Sequence, residues 1–221
     1  LTLNNWARHV IDADQSDKAI FVTSGDLDGD NKIDLIAGDR WYENPGTAGG
    51  TWTAHTIGSP LNNMAAVHDF DRDGDLDIVG TQGTGQQSND FFAWAQNNGA
   101  GSFTIRQNID VADGDFLQGV AVGKFTGSSF LQILLSWHQS GKGIQMLTVP
   151  DNPTTNQWTW QRIHTVSQNE QLTAADIDRD GDLDALLGTK WLRNNNMGMS
   201  WDMFDFFSQI DPDRNKLADI N

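Results

Sequence analysis

A nine-residue acidic pattern occurs three times in this chain, at Asp26 to Asp34, Asp69 to Asp77 and Asp176 to Asp184. Aspartates stand at its first, third, fifth and ninth positions, and Asn or Gly at its sixth. A sharp turn at the sixth residue brings the four carboxylates towards one point, with the carbonyl of the seventh residue as a further oxygen. So many like charges within nine residues repel one another, and a hard divalent cation removes that conflict. A flexible cage of oxygens suits calcium, whereas magnesium demands a tight octahedron and holds its waters. Acidic turns can also serve only to solvate a surface. Chance acidity, however, does not repeat the turn residue and the apolar-Asp ending in phase.

The chain of 221 residues is 38% hydrophobic, which suffices for one substantial core. Its net charge of -16 disfavours nucleic acid or an anionic membrane as a partner, even though nearly half of the acids lie in the three loops. All the acids except Glu43 and Glu170 are aspartates, and there are 22 glycines, a composition of turns rather than helix interiors. Short apolar runs such as Asp34 to Ala37 and Leu131 to Leu135 read as strands between those turns, and no window holds a helical period. The fold class expected is all-β. With no cysteine there is no disulfide to argue from, and no apolar stretch is long enough to span a membrane. No signal peptide is seen, as in a mature chain or a cytosolic one. Loops of this kind fill at the calcium levels found outside the cytosol, so the expected location is secreted, cell-surface or periplasmic.

Each acidic loop sits within a larger unit of about 43 to 55 residues. An aromatic-rich strand recurs at Trp6 to Ile11, Trp52 to Ile57, Phe103 to Ile109, Trp160 to Val166 and Trp201 to Ile210. A small-residue strand then runs into the loop, an apolar strand follows, and a strand carrying Trp41, Trp94 or Trp191 closes on Asn44, Asn97 or Asn194. Four short strands per repeat describe the blade of a β-propeller, whose sheets bury their faces against one another. The blades expected are 12–57, 58–109, 110–166 and 167–210, with 1–11 and 211–221 as parts of incomplete blades.

The Asp-x-Asp-x-Asp-Gly-x-x-Asp loops with their preceding Ala-Ala strands resemble FG-GAP or VCBS repeats, found in integrin α-subunit propellers and many bacterial exported proteins. The resemblance covers nearly the whole chain. It implies calcium at three sites: Asp26, Asp28, Asp30 and Asp34; Asp69, Asp71, Asp73 and Asp77; Asp176, Asp178, Asp180 and Asp184. Lys32, Asp75 and Asp182 would add backbone carbonyls. In the third unit Lys124, Thr126, Ser128 and Gln132 occupy the ligand positions, so that loop should hold no calcium; the Lys124 ammonium or plain degeneration of the loop explains those letters. Asp219-Ile220-Asn221 reads as the start of a fifth loop. A ring larger than this arc, commonly of seven blades, is implied, completed by a further segment or a second chain.

A residue that recurs at one blade position is more economically read as architectural, which covers His9, His55 and His164 and the repeated tryptophans. His68, beside the second acidic loop, is expected to pack or hydrogen-bond there, since calcium prefers oxygen to imidazole. The segment Trp137-His138-Gln139-Ser140-Gly141-Lys142-Gly143 has no counterpart elsewhere, and a unique segment on a repetitive scaffold is a candidate for function. Strand direction puts it at the end opposite the acidic loops, together with Asp39, Arg40, Gln82 to Asp90, Thr189 and Lys190. The loops around Asp12 to Lys18, Asn62, Asp113 to Gln118 and Glu170 should join them. Such a polar face suits a sugar, with Trp137, His138, Gln139 and Lys142 as the ligand-binding set: Trp137 stacks on a pyranose ring, Asp, Asn and Gln side chains bond hydroxyls, and Arg40, Lys142 or Lys190 pairs with a uronate carboxylate.

Two functions follow from this pattern. One is a calcium-stabilised carbohydrate-binding or adhesion module without chemistry. The other is a polysaccharide lyase acting on uronic-acid polymers by β-elimination, with His138 as base and Arg40 or Lys190 as the carboxylate clamp. The one tyrosine, Tyr42, lies in a repeated strand and is poorly placed as the acid, and no carboxylate pair stands out for glycoside hydrolysis.

Overall fold

A computed structural model describes residues 8–14, 19–83, 90–168 and 171–206. These form four antiparallel sheets of four strands, with one short 3-10 turn at Ser140–Lys142 as the helical element among the described residues. Sheet 1 comprises β1 (Val22–Gly25), β2 (Asp34–Ala37), β3 (Arg40–Glu43) and β4 (Thr53–Thr56). Sheet 2 comprises β5 (Asn63–His68), β6 (Asp77–Thr81), β7 (Phe92–Asn97) and β8 (Phe103–Arg106). Sheet 3 holds β9 (Leu117–Gly123), β10 (Gln132–Trp137), β11 (Ile144–Thr148) and β12 (Thr159–His164). Sheet 4 holds β13 (Leu172–Ala175), β14 (Asp184–Leu187), β15 (Lys190–Asn195) and β16 (Ser200–Asp205). Each sheet is a meander in chain order, because every connection joins neighbouring antiparallel strands. No helix among the described residues is long and apolar enough to cross a membrane.

The sheets pack in succession, first strand beside first strand: β1 near β5, β5 near β9, and β9 near β13. Three hydrophobic clusters fill the three junctions. Leu27, Ile36 and Trp41 of sheet 1 meet Met64, Ile78 and Ala95 of sheet 2. Val79 and Trp94 meet Ile133, Leu135 and Trp158 between sheets 2 and 3. Phe125, Leu134 and Met146 meet Leu172, Ala185 and Leu192 between sheets 3 and 4. Side chains alternate across a strand, so Ile78 and Val79 serve different junctions, as do Ile133 and Leu134. A sheet covered on both faces favours apolar residues on both sides of its inner strands. Strands β6 and β10 are buried throughout, apolar at Ile78 and Val79 and at Ile133 to Leu135, with hydrogen-bonding Asp77 and Gln132 at their loop ends.

Leu27, Phe70 and Phe125, the second residues of successive strand-connecting loops, each project into a junction and are 1% exposed. The Phe70 ring lies 5.7 Å from that of Trp158 in sheet 3, and Phe125 lies 6.2 Å from Trp201 in sheet 4. Their counterpart Ile177, in sheet 4, is only half-buried.

Two expectations change here. The strand expected at Trp6 to Ile11 is not formed over residues 8–11, and Trp6 lies outside the described residues. Strand β10 runs on through Trp137, which pairs with Leu117, instead of ending before it. Glu170, the segment 211–221 with its expected fifth loop, and parts of the 12–18 and 82–90 connections also lie outside the described residues.

Candidate metal centres and the opposite end of the sheets

The three acidic loops join the first strand of a sheet to its second, at Asp26 to Ile33, Asp69 to Leu76 and Asp176 to Leu183. Left-handed backbone makes the turn in each. The sixth residue has φ of 64° at Asn31, 101° at Gly74 and 96° at Gly181. The fourth residue is left-handed too, at Gly29, Arg72 and Arg179, and for the two arginines this costs backbone energy that the letters do not advertise.

The turn brings three carboxylates together in each loop: Asp26, Asp28 and Asp34; Asp69, Asp71 and Asp77; Asp176, Asp178 and Asp184, with oxygens within 4.8 Å of one another. Each group could hold a metal ion. The fifth-position acids expected as ligands stand beside these groups rather than within them, Asp30 next to Asp28 and Asp73 next to Asp71. One oxygen each of Asp30, Asp73 and Asp180 accepts the amide of the residue two further on, at Lys32, Asp75 and Asp182. Asp30 also pairs with the Lys32 ammonium. The side chains of the seventh residues are likewise engaged elsewhere: Asp182 Oδ2 accepts the Met197 amide at 2.8 Å.

The ninth aspartate is fully buried in all three loops and ties the sheet together at this end. One oxygen of Asp34 accepts the Leu27 amide at 3.0 Å and the other the Asn44 amide at 2.9 Å. Asp77 does the same for Phe70 and Asn97, and Asp184 for Ile177 and Asn194. Burial raises the pKa of all three, and that of Asp77 reaches about 7. An ionised carboxylate with no water and no cation is costly, and amide donors offset only part of that cost.

The second loop carries a more direct sign of a missing partner. Asp69 Oδ2 accepts the Gly74 amide, but Asp69 Oδ1 is buried with no hydrogen bond. Buried carboxylate oxygens are normally satisfied, so this atom, beside Asp71 and Asp77, fits a cation that binds oxygen. A hard all-oxygen donor set suits a divalent cation such as calcium or magnesium.

Sheet 3 replaces the whole arrangement with neutral groups. Gln132 Oε1 accepts the amides of Phe125 at 2.8 Å and Thr126 at 3.2 Å, and its amide group donates to Phe130 O at 2.8 Å. Ser128 and Thr126 hydroxyls accept further loop amides. Lys124 is exposed. Charge replacement by that lysine is therefore unnecessary, because Gln132 performs the buried aspartate's bracing without a charge.

The asparagines that close the third strands are functional in a way the letters did not reveal. Asn97 donates to Leu76 O in its own sheet and to Leu27 O in sheet 1, at 3.1 and 2.8 Å. Asn194 repeats this, reaching Leu183 O and Phe125 O of sheet 3. The Asn44 amide group donates only to Ile33 O, in its own sheet's acidic loop, while its oxygen accepts the Gly46 amide. The recurrence of Asn at this position was the available signal.

At the other end of the sheets lie the residues expected to meet a ligand. Trp137 does not lie among them: it is fully buried and packs edge-on against Phe92, with ring centroids 6.3 Å apart. Its face is covered because a segment carrying Gly114 presses on the ring, where any Cβ would collide. The expected stacking of Trp137 on a sugar is thereby overturned. His138 is exposed, with Nδ1 3.4 Å from Asp115 Oδ2. The backbone amide of Gln139 donates to Asp115, and Lys142 pairs with Asp113, which also holds Arg162. Both cations keep the Asp113 carboxyl below the usual range.

Arg40 binds Asp12 at 2.8 Å, and Tyr42 donates to the same carboxylate. Burial pushes the Tyr42 hydroxyl up to about 12. Lys190 pairs with Asp205. Arg40, His138 and Lys190 thus lie at three different sheets, and each meets a carboxylate of its own: Asp12, Asp115 and Asp205. Two of the three repeated histidines make local structural contacts: His55 stacks on Trp41 at 4.3 Å and contacts Glu43, and His164 accepts the Val166 amide; His9 is exposed. His68 is exposed and its Nδ1 lies 3.2 Å from Asp69 O. Searches of family models and of curated proteins find no match to this chain.

Proposed function

We propose that this chain is a calcium-braced binding module of β-propeller type, with a carbohydrate as its ligand at the end away from the acidic loops. The observation that carries the reading is the same three-carboxylate group at three sheet ends, one of them with a buried oxygen that lacks any partner. Calcium would supply positive charge at the point where the ninth aspartate already ties three segments together, so its binding energy becomes stability of the folded sheet. The propeller reading is supported by four meanders packed first strand to first strand. Val22 on sheet 1 and Phe204 and Phe206 at sheet 4 are exposed, as expected of faces that a further segment or a second chain would cover. A secreted or cell-surface location follows from the need for free calcium.

The carbohydrate assignment draws on the exposed polar end, where His138, Gln139 and the Arg40 and Lys142 ion pairs offer donors and acceptors suited to sugar hydroxyls. No observation favours β-elimination, since His138, Arg40 and Lys190 are engaged in three separate sheets. The deciding experiment is a calorimetric calcium titration of chelator-treated protein followed by a glycan array in calcium. Heat of binding and selective glycan signal are expected. Absence of calcium binding refutes the metal reading, and a blank array refutes the carbohydrate. Acidic polysaccharides that develop the absorbance of an unsaturated uronate would restore the lyase.

A further inference from the structure

The three acidic loops are alike in sequence but differ in what touches their third-position carboxylate. In the second loop Asp71 accepts a neutral amide, Gln96 Nε2, at 2.5 Å. In the third loop Asp178 faces a guanidinium: Arg193 Nε lies 2.7 Å from Asp178 Oδ2, and Nη2 lies 3.5 Å from Asp180 Oδ2. The Nε contact is an ion pair off the N–H axis, not an aligned hydrogen bond. In the first loop the nearby cation, Lys32, pairs with Asp30, which stands outside the carboxylate group.

These residues occupy one structural position. Glu43, Gln96 and Arg193 each precede the asparagine whose amide binds the ninth aspartate. That position therefore carries a negative, a neutral and a positive side chain in sheets 1, 2 and 4. Among the described residues, only the third loop has a cationic side chain in contact with a member of its own carboxylate group.

Resting on the metal reading above, we propose that Arg193 is an internal counter-cation of the third loop, and that this loop takes calcium more weakly than the other two. A guanidinium is always charged and holds carboxylates firmly, so a divalent ion at Asp176, Asp178 and Asp184 must bind against its field. The Coulomb term between unit and double charges some 4 Å apart, even screened as in bulk water, corresponds to a difference of at least about tenfold in affinity. The loops would then form two tight sites and one weak site, the weak one responding to calcium in a higher concentration range.

The test is a calcium titration of chelator-treated protein with stoichiometry counted by native mass spectrometry. Two ions bound before a third is expected for the unaltered protein. Arg193→Gln should tighten the third step by about tenfold or more, Arg193→Lys should leave it weak, and Glu43→Arg should weaken one of the first two. Three equivalent sites that Arg193→Gln leaves unchanged would overturn the proposal while the metal reading stands. A protein that binds no calcium at all would overturn both.

Discussion

Replacing Asn97 by alanine isolates the bond that joins one sheet to the next. The side chain is 3% exposed and its amide donates to Leu27 O at 2.8 Å and Leu76 O at 3.1 Å. Its oxygen also accepts the Asn98 amide at 2.9 Å. Leu27 O keeps one donor, the Gly101 amide, so only part of its requirement is lost. At about 1 kcal/mol for each of the two buried bonds, plus the cost of polar groups left short, Asn97→Ala should destabilise by about 2–3 kcal/mol. For a chain of this length that lowers Tm by roughly 5–10 °C. Asn44 offers the internal control. It stands at the same repeat position but donates to Ile33 O alone, in an exposed setting, so Asn44→Ala should cost about 1 kcal/mol or less. Calorimetric melting of both variants in saturating calcium measures the difference with the metal sites full. Equal losses for Asn44→Ala and Asn97→Ala would refute the claim that the inter-sheet bond makes this position valuable.

Chelation should lower Tm by several degrees and restored calcium should recover it, since an ion bound only by the folded state stabilises by mass action; a melt unmoved by verified metal removal contradicts the bracing role. The metal-free protein should gain stability as pH falls from about 8 towards 5. Asp77 titrates near 7 when folded and near 3.8 when unfolded, so its contribution is full below the lower value and is lost as pH rises through the upper. The span is on the order of 4 kcal/mol, and Asp77→Asn should remove most of that slope in a pH series of urea titrations, whereas an unchanged slope would exclude burial of this carboxylate as its origin. Gln132→Ala strips the acceptor from the amides of Phe125 and Thr126 and should cost about 2–4 kcal/mol. Because that loop has no carboxylates at the ligand positions, the loss should be the same with and without chelator.

The acidic loops and the strands around them were legible because their causes are local. A turn that needs left-handed backbone selects Asn or Gly at one position, and period and spacing follow within nine residues. The convergence of Asp26, Asp28 and Asp34, with its two repeats, was readable for the same reason. The place of the fifth aspartates beside those groups was not, since Asp30 answers to the nearby Lys32 ammonium and the turn's own amides as much as to its fellow carboxylates.

Trp137 is the clearest failure of local reading. It looked like the singular residue of a loop, whereas the ladder with β9 extends to it and Gly114 and Phe92 seal it in. Neither partner lies near it in the chain, so no pattern around Trp137 reports its burial. Arg193 shows the converse, an unremarkable strand residue made significant by an acidic loop that the fold brings beside it. By itself the sequence determined an all-β chain of repeated four-strand units with three carboxylate loops, because turn chemistry and strand alternation act over a few residues. Only the tertiary structure decided which side chains the junctions bury, which asparagines bind across sheets and which carboxylate group has an arginine against it, because burial and charge pairing of this kind depend on residues apart in the chain.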